Sequence, residues 1–133
     1  MGFFCYDYKN ILTILIHSLI LRIKNRNMKI KKETTDWGKI YYYKNRYYMF
    51  AMYTYDDDES TVYLSNVKVK KSERGRGFGN RILRFVNKEA KKHNYSMICL
   101  KVLKLSWMHN WYSRHGYKNL EENNNYVWMK HNL

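Results

Sequence analysis

The sequence predicts an α/β (α+β) fold, in which a mixed, mostly antiparallel sheet carries helices around a central strand–turn–helix–strand unit. Two aromatic-rich runs, residues 39–43 and 47–55, are separated by three polar residues, which is typical of a β-hairpin. A strand, a glycine-rich turn, an amphipathic helix and an apolar strand follow in order between residues 61 and 102. A last strand is expected at residues 126–131.

The first 27 residues differ in composition from the rest of the chain. Residues 11–23 form a nearly unbroken apolar run, shorter than the roughly 20 residues that a membrane span needs. Three interpretations stay open: a segment packed on the domain, an interfacial anchor, or a translated leader upstream of a start at Met28. We expect residues 28–133 to form a single domain, with residues 1–27 as an extension of uncertain status.

The strand predicted at residues 61–71 contains a change of parity. Apolar and polar residues alternate along it, but Leu64 and Val67 fall on opposite phases of the alternation. An extra residue near Ser65 and Asn66 would reconcile the two halves, because a β-bulge shifts the phase by one. We therefore expect a bulge at this point.

Two helices are predicted in the second half of the chain. Residues 79–93 place Ile82, Leu83 and Val86 at helical spacing, while lysines and arginines occupy the other positions. The second helix covers residues 107–115, with Ser106 as the N-cap and Gly116 just past its end.

The composition favours anionic partners. The net charge is +14, from 25 basic and 11 acidic side chains, which suits phosphates, nucleic acid or a membrane surface. Cys5 and Cys99 form no paired motif, so neither a disulfide framework nor a zinc site is expected and a cytoplasmic setting is predicted. His109 and His115 are six residues apart and do not share a helix face, so no metal is predicted.

The turn at residues 74–79, Arg-Gly-Arg-Gly-Phe-Gly, carries the main functional signal. Glycine lets backbone N–H groups approach a ligand, and the start of a helix has unpaired N–H groups and a partial positive charge. Together these features predict an anion site suited to phosphate, although a plain turn that needs glycine is the alternative. A P-loop would end in Gly-Lys-Ser/Thr, whereas Gly79 is followed by Asn80 and Arg81. A dinucleotide fold would place an acidic residue about 20 positions later, where Tyr95 and Ser96 stand.

This turn resembles the coenzyme A-binding motif of the GNAT superfamily of N-acetyltransferases, Arg/Gln-x-x-Gly-x-Gly/Ala, at Arg74, Gly77 and Gly79. The segment Trp111-Tyr112-Ser113-Arg114-His115-Gly116-Tyr117 is similar to the family's Leu-Tyr-x-x-x-Gly-Phe. The resemblance covers about residues 39–131 and implies acetyl-CoA as co-substrate and acetyl transfer to a primary amine. The acceptor would be a small molecule, a peptide N-terminus or a lysine.

The resemblance also implies roles for individual residues. The fourth strand would pair with the pantetheine arm and the turn would hold the pyrophosphate, which assigns coenzyme binding to Val67, Lys68, Val69, Arg74, Gly75, Arg76, Gly77, Phe78, Gly79 and Asn80. Tyr112 would protonate the leaving thiolate as the catalytic general acid. Strand residues 64–69 contain no carboxylate, and residues 56–59 are typical of a solvated turn, so no general base is assigned.

Three departures from the family pattern keep alternatives open. Leu105 stands where the family usually has Asn, and Lys71 stands where it usually has Pro. The strand and two helices that build the family's acceptor side are shortened or rebuilt here. The alternatives are a coenzyme A-binding protein without turnover and a basic nucleic-acid-binding protein. Neither the acceptor nor the oligomeric state follows from the sequence.

Overall fold

A computed structural model describes residues 28–133 of the chain. The described part contains a seven-stranded sheet, two α-helices and one turn of 3₁₀ helix. In chain order the elements are β1 (Lys29–Thr34), β2 (Gly38–Lys44), β3 (Tyr48–Tyr55), β4 (Thr61–Val69), the 3₁₀ turn (Lys71–Glu73), α1 (Phe78–Lys92), β5 (Met97–Leu103), α2 (Trp107–Arg114), β6 (Lys118–Glu122) and β7 (Tyr126–Asn132). The predicted interpretations of residues 1–27 lie outside the described residues.

The sheet order is β1-β2-β3-β4-β5-β7-β6, which confirms the predicted mixed, mostly antiparallel architecture. Strands β4 and β5 form the parallel pair, since α1 crosses over between them. Their pairing covers only three positions, from Thr61–Met97 to Tyr63–Cys99. Because β4 continues to Val69 and β5 to Leu103, the two strands separate towards their carboxyl ends.

The predicted bulge is confirmed. Ala51 of β3 pairs with Ser65, but Met49 pairs with Lys68, so β4 carries one residue more than β3 over this stretch. Asn66 adopts a φ of +54°, a conformation that asparagine accepts more readily than most residues. The bulge changes the phase of the strand, so that Leu64 and Val67 both contact the core.

Both helices contact one hydrophobic cluster and therefore cover the same face of the sheet. Ile82 and Val86 of α1 are fully buried, and Tyr112 of α2 is 2% exposed. The sheet contributes Phe50 and Met129 to the same cluster. Burial of this apolar stripe explains the helical spacing seen in the sequence, because each apolar position of α1 faces the strands.

The opposite face of the sheet carries a connected group of aromatic rings. The ring of Tyr53 stacks on that of Tyr63 with 5.0 Å between centroids, and Tyr63 contacts Trp128 edge-on at 6.0 Å. Trp37 and Tyr55 extend the group towards β2. Within residues 28–133, the two helices leave this face uncovered. None of the helices of that part is long and apolar enough to cross a membrane.

Two strands were not predicted. The short β6 is fully exposed along its length and pairs only with β7, so its sequence carries no apolar alternation. The same holds for β1, an edge strand of exposed and mostly charged residues that pairs only with β2. An asparagine turn precedes the last strand, in which Asn123 Oδ1 accepts hydrogen bonds from Asn125 N and Tyr126 N.

Candidate functional site

A cavity of about 480 Å³ lies where β4 ends and α1 begins. It is lined by residues 67–69, 73–75 and 77–80 and by three residues of α2, which are Trp107, Met108 and Trp111. The fold therefore brings together all of the predicted coenzyme contacts except Arg76. The contribution of α2 was not predicted, although its apolar residues at positions 107, 108 and 111 have the spacing of one helix face.

The turn leaves backbone donors free at the start of α1. Its N-cap is Gly77, which provides no side-chain hydrogen bond, and the first intrahelical bond runs from Arg81 N to Gly77 O. The amides of Phe78, Gly79 and Asn80 precede that bond and so have no partner within the helix. They line the cavity together with the positive end of the helix dipole, an arrangement that binds anions.

The glycines of the turn have two different roles. Gly75 and Gly77 adopt φ values of +81° and +83°, and a side chain at either position would meet no atom within 4 Å. Glycine is therefore required at both positions by the backbone conformation and not by a shortage of space. Gly79 lies under the indole of Trp111, and a Cβ there would approach Trp111 Cζ2 to 2.9 Å. Gly79 thus sets the close packing of α1 against α2.

The arginines of the turn are held by neighbouring groups. Arg74 Nε donates a 3.2 Å hydrogen bond to Val69 O, which ties the turn to the end of β4. Arg76 forms an ion pair with Glu73 and does not itself line the cavity. Glu73 lines the cavity, so this pair neutralises a carboxylate that would otherwise repel an anion.

Helix α2 begins as predicted. Ser106 Oγ accepts a 3.2 Å hydrogen bond from His109 N, which is the geometry of an N-cap. Tyr112 on this helix is buried between Trp111 and Tyr117, with ring centroids at 5.0 and 5.4 Å. Burial raises the pKa of the Tyr112 hydroxyl, which therefore stays protonated. Tyr112 itself does not line the cavity, whereas its neighbour Trp111 does.

His109 in α2 and His115 at its C-cap connect this helix to neighbouring segments, and no pattern in the sequence predicted either set of contacts. His115 Nε2 lies 2.6 Å from Asn80 Oδ1, and its Nδ1 lies 2.7 Å from Trp111 O. His109 Nδ1 accepts a hydrogen bond from Leu105 N at 3.2 Å, so its Nε2 carries the proton donated to Asn119 Oδ1 at 3.0 Å.

The loop before α2 adopts a conformation that its sequence does not favour. Leu105 has a φ of +60° and is 83% exposed. Asparagine tolerates this left-handed conformation better than leucine does. The family's usual residue at this position would therefore fit the backbone of the present chain.

Other candidate groups do not join this site. Asp56, Asp58 and Glu59 line a different cavity beside the opposite end of α1, and hydrogen bonds from Ser60 lower the pKa of Asp58. Cys99 is buried within β5, which raises the pKa of its thiol. No group of three or more metal-ligating side chains is found within residues 28–133.

Comparisons with known proteins agree with this geometry. Residues 31–119 match the family model of the acetyltransferase (GNAT) domain. Similar solved structures include a GNAT family acetyltransferase from Elizabethkingia anophelis with acetyl-CoA bound, at 15% identity over 80% of this chain and 99% of that chain, with a TM-score of 0.60. A Bacillus subtilis acetyltransferase in complex with CoA shares 16% identity over 80% and 98% of the two chains, with a TM-score of 0.59.

The ribosomal-protein-S18-alanine N-acetyltransferase from Escherichia coli is also similar, at 12% identity over 74% of this chain and 71% of that chain, with a TM-score of 0.58. A comparison with curated proteins found no match. The family model spans well over half of the sequence and includes the turn, the crossover helix and α2. The chain therefore belongs to the GNAT acetyltransferase family.

Proposed function

We propose that this protein transfers the acetyl group of acetyl-CoA to a primary amine, with residues 28–133 as its acetyltransferase domain. The observation that carries the proposal is the cavity at the end of β4, where the amides of residues 78–80, which have no partner within α1, meet a strand edge that no other strand of residues 28–133 covers. Acetyl-CoA and CoA occupy two of the similar structures. The family is one of acetyltransferases, which supports the reaction class.

The coenzyme would be held mainly by backbone groups. The amides of Phe78, Gly79 and Asn80 would donate to the pyrophosphate at the positive end of α1. Beyond Tyr63, β4 has no partner on its β5 side within residues 28–133, so its N–H and C=O groups there would bond the amides of the pantetheine arm. This leads the thioester from the turn towards the gap between the two strands.

The reaction needs no covalent enzyme intermediate. The lone pair of the amine attacks the thioester carbonyl, a C–N bond forms, and the tetrahedral intermediate expels the thiolate as the C–S bond breaks. The proton lost by the amine passes to solvent, and the Tyr112 hydroxyl donates a proton to the thiolate. Because burial raises the pKa of Tyr112, the phenol is fully protonated before the reaction, as a general acid must be.

The raised pKa also makes Tyr112 a weaker acid than an ordinary tyrosine. A thiol has a pKa near 8.5 and an ordinary phenol one near 10, so full ionisation of a buried phenol by a thiolate is uphill. The proton therefore moves only as the C–S bond breaks and the phenolate is reprotonated from solvent. Tyr112 lies behind Trp111 and does not line the cavity. Its proton would therefore reach the sulfur either after a small shift of α2 or through a bridging water molecule.

The same position of Tyr112 supports a second candidate function, a protein that binds coenzyme A without turnover. In that case the cavity would bind acetyl-CoA and release it unchanged. The net charge of +14 supports a third candidate, binding of nucleic acid through the basic surface. The two binding candidates make different predictions about salt, because charge-driven nucleic-acid binding weakens steeply as salt rises.

One set of measurements separates these candidates. Acetyl-CoA should raise the melting temperature of the full chain by mass action, and thiol release should follow when a panel of primary amines is added. A thermal shift without thiol release for any amine would favour the non-catalytic candidate. If acetyl-CoA gives no shift while a nucleic acid binds in a strongly salt-dependent way, the acetyltransferase proposal fails.

A further inference from the structure

A second cavity lies at the opposite end of α1 from the coenzyme cavity. Its volume is about 770 Å³, which is within the range of small-molecule sites. It is formed by the last turns of α1, by β2 and β3, and by the turn that joins β3 to β4. The two cavities share no lining residue, so a ligand in the second would not occupy the coenzyme site.

The second cavity is acidic in an otherwise basic protein. Asp56, Asp58, Glu59 and Glu89 line it, four of the eleven carboxylates in a chain of net charge +14. Lys39 and His93 also line it, and His93 Nε2 lies 3.5 Å from Glu89 Oε2. The carboxyl end of α1 adds the partial negative charge of its terminal carbonyl groups. The local electrostatic balance therefore favours a cation.

The floor of the cavity is apolar except for one hydroxyl. Met52, Val62 and Ala90 are each at most 5% exposed, and the ring of Tyr43 is 8% exposed. No hydrogen bond joins the Tyr43 hydroxyl to another group of residues 28–133, and burial together with Glu89 raises its pKa to about 12. The hydroxyl itself is not fully buried, so it is accessible from the cavity and can accept a hydrogen bond from a ligand.

Tyrosine rings complete the wall. Tyr41 and Tyr95 line the cavity beside Tyr43, whereas the ring of Tyr55 packs on the opposite face of the sheet against Trp37, Tyr53 and Tyr63. The face of a tyrosine ring attracts a cation, and the Lys32 ammonium already lies 5.9 Å from the centroid of Tyr41. Carboxylates, aromatic faces and an apolar floor are together suited to an ammonium group attached to an apolar body.

We propose that this cavity is a binding site for an organic ammonium ion. The ammonium group lies among the carboxylates of Glu89 and the β3–β4 turn and donates a hydrogen bond to the Tyr43 hydroxyl oxygen. Its apolar body covers Met52 and Val62. The site is independent of the proposed acetyl transfer, because it lies at the other end of α1 and requires no coenzyme.

Calorimetric titration of the full chain with 2-phenylethylammonium, at low salt and without coenzyme, tests the proposal. Phenylacetate is the matched probe, since it has the same ring and a negative charge. We expect the ammonium probe to bind with a dissociation constant below about 1 mM and phenylacetate not to bind. No heat from the ammonium probe, or equal binding of the two probes, overturns the proposal.

Variants locate the bound probe. Glu89→Gln and Tyr43→Phe should each raise the dissociation constant of the ammonium probe by about fivefold or more. Glu59→Gln should also weaken binding, and because Glu59 is exposed this variant does not disturb the core. Glu121→Gln is the control, because it removes one carboxylate from β6, outside the cavity. If Glu121→Gln weakens binding as much as Glu89→Gln and Glu59→Gln do, the attraction is diffuse and the site does not exist.

Discussion

The two ends of α1 differ in the helix groups that they present and in the acidic side chains that line the cavity beside each end. At its amino end, Gly77 offers no capping side chain, the first amides are free and the first turn contains no acidic residue. At its carboxyl end, the helix carbonyls meet the four carboxylates of the second cavity. A helix of 15 residues is about 22 Å long, so the two sites are well separated. One helix can thus present an anion site and a cation site in a single small domain.

Two tyrosines report the same contrast. Tyr48 lies near the amino end, where Arg81 lowers its pKa and partly offsets the effect of burial. Tyr43 lies near the carboxyl end, where Glu89 and burial act in the same direction. The two rings are similarly buried, so the charge of the neighbouring residue has opposite effects on their pKa values.

The largest expected effect is that of Gly77→Val. A valine cannot adopt a φ of +83° without strain, so the turn must change and the amides of residues 78–80 move. Coenzyme affinity should fall by at least about 100-fold, measured as loss of the thermal shift with acetyl-CoA. Binding of 2-phenylethylammonium at the other end of α1 should be unchanged.

Gly116→Val is the matched control for strain. Gly116 has a φ of +89° and lies outside the coenzyme cavity. The two variants should be destabilised alike, but Gly116→Val should keep its response to acetyl-CoA. A thermal shift retained in Gly77→Val would remove the turn from the coenzyme site.

The next largest effect is expected for Tyr112→Phe. The ring and its packing between Trp111 and Tyr117 are kept, while the proton donor is lost. The turnover number should fall by about 100-fold and the dissociation constant of acetyl-CoA should stay within a factor of about two. Tyr117→Phe is the control, since its buried hydroxyl has no hydrogen-bond partner within residues 28–133. Equal turnover in Tyr112→Phe and the wild type would exclude Tyr112 as the general acid.

Gly79→Ala should act on packing rather than on the backbone conformation. A Cβ at this position would lie 2.9 Å from Trp111, so α2 must move away from α1. We expect a loss of about 1–3 kcal/mol in the free energy of unfolding, measured by denaturant titration. Trp111→Phe removes the clashing part of the ring and should recover part of the loss in the double variant. Additive losses in the double variant would show that Gly79 has another role.

These two glycines show what sequence reasoning could achieve here. The spacing of Arg74, Gly77 and Gly79 predicted the turn, and the structure places all three in one cavity. The sequence did not distinguish a glycine needed for its φ from a glycine needed for space. That distinction depends on Trp111, which is 32 residues away in the chain and approaches Gly79 because β5 returns the chain to the same face of the sheet.

The second cavity was missed for the same physical reason. The sequence of residues 56–59 is typical of a solvated turn, and their exposure in the structure largely agrees with that. Their proximity to Glu89 depends on the packing of α1 across the sheet, which no pattern among neighbouring residues in the sequence predicts. The fold class, the bulge and the N-cap at Ser106 were predictable because each follows from neighbouring residues.

A smaller effect is expected in the ionisation of Tyr43. Its raised pKa, about 12, stabilises the fold below the ordinary tyrosine pKa near 10, and this contribution is lost as the pH rises through about 12. Glu89→Gln should lower the pKa of Tyr43 and leave that of Tyr48 unchanged. Near-ultraviolet difference titrations against Tyr43→Phe and against Tyr48→Phe would measure the two values separately. An unchanged pKa of Tyr43 would mean that burial alone sets it and that the contrast between the two ends of α1 is weaker.

The smallest effect, and the only gain, is expected for Leu105→Asn. Leucine at a φ of +60° is strained, and its side chain is 83% exposed, so the substitution loses little burial. Asparagine tolerates this conformation, and the hydrogen bond from the residue 105 amide to His109 Nδ1 would be kept. The free energy of unfolding should rise by about 0.5–1 kcal/mol.

Leu120→Asn tests whether this gain is specific to the backbone conformation. Leu120 is also exposed but lies in β6, where asparagine is unfavourable, so its substitution should lower stability. Because Leu105 lies two residues before Trp107, which lines the coenzyme cavity, Leu105→Asn also separates two reasons for the family's preference at this position. A gain in stability without a change in acetyl-CoA affinity would assign that preference to the backbone, whereas tighter binding would assign it to a contact with the coenzyme. A loss of stability in Leu105→Asn would contradict the strain argument itself.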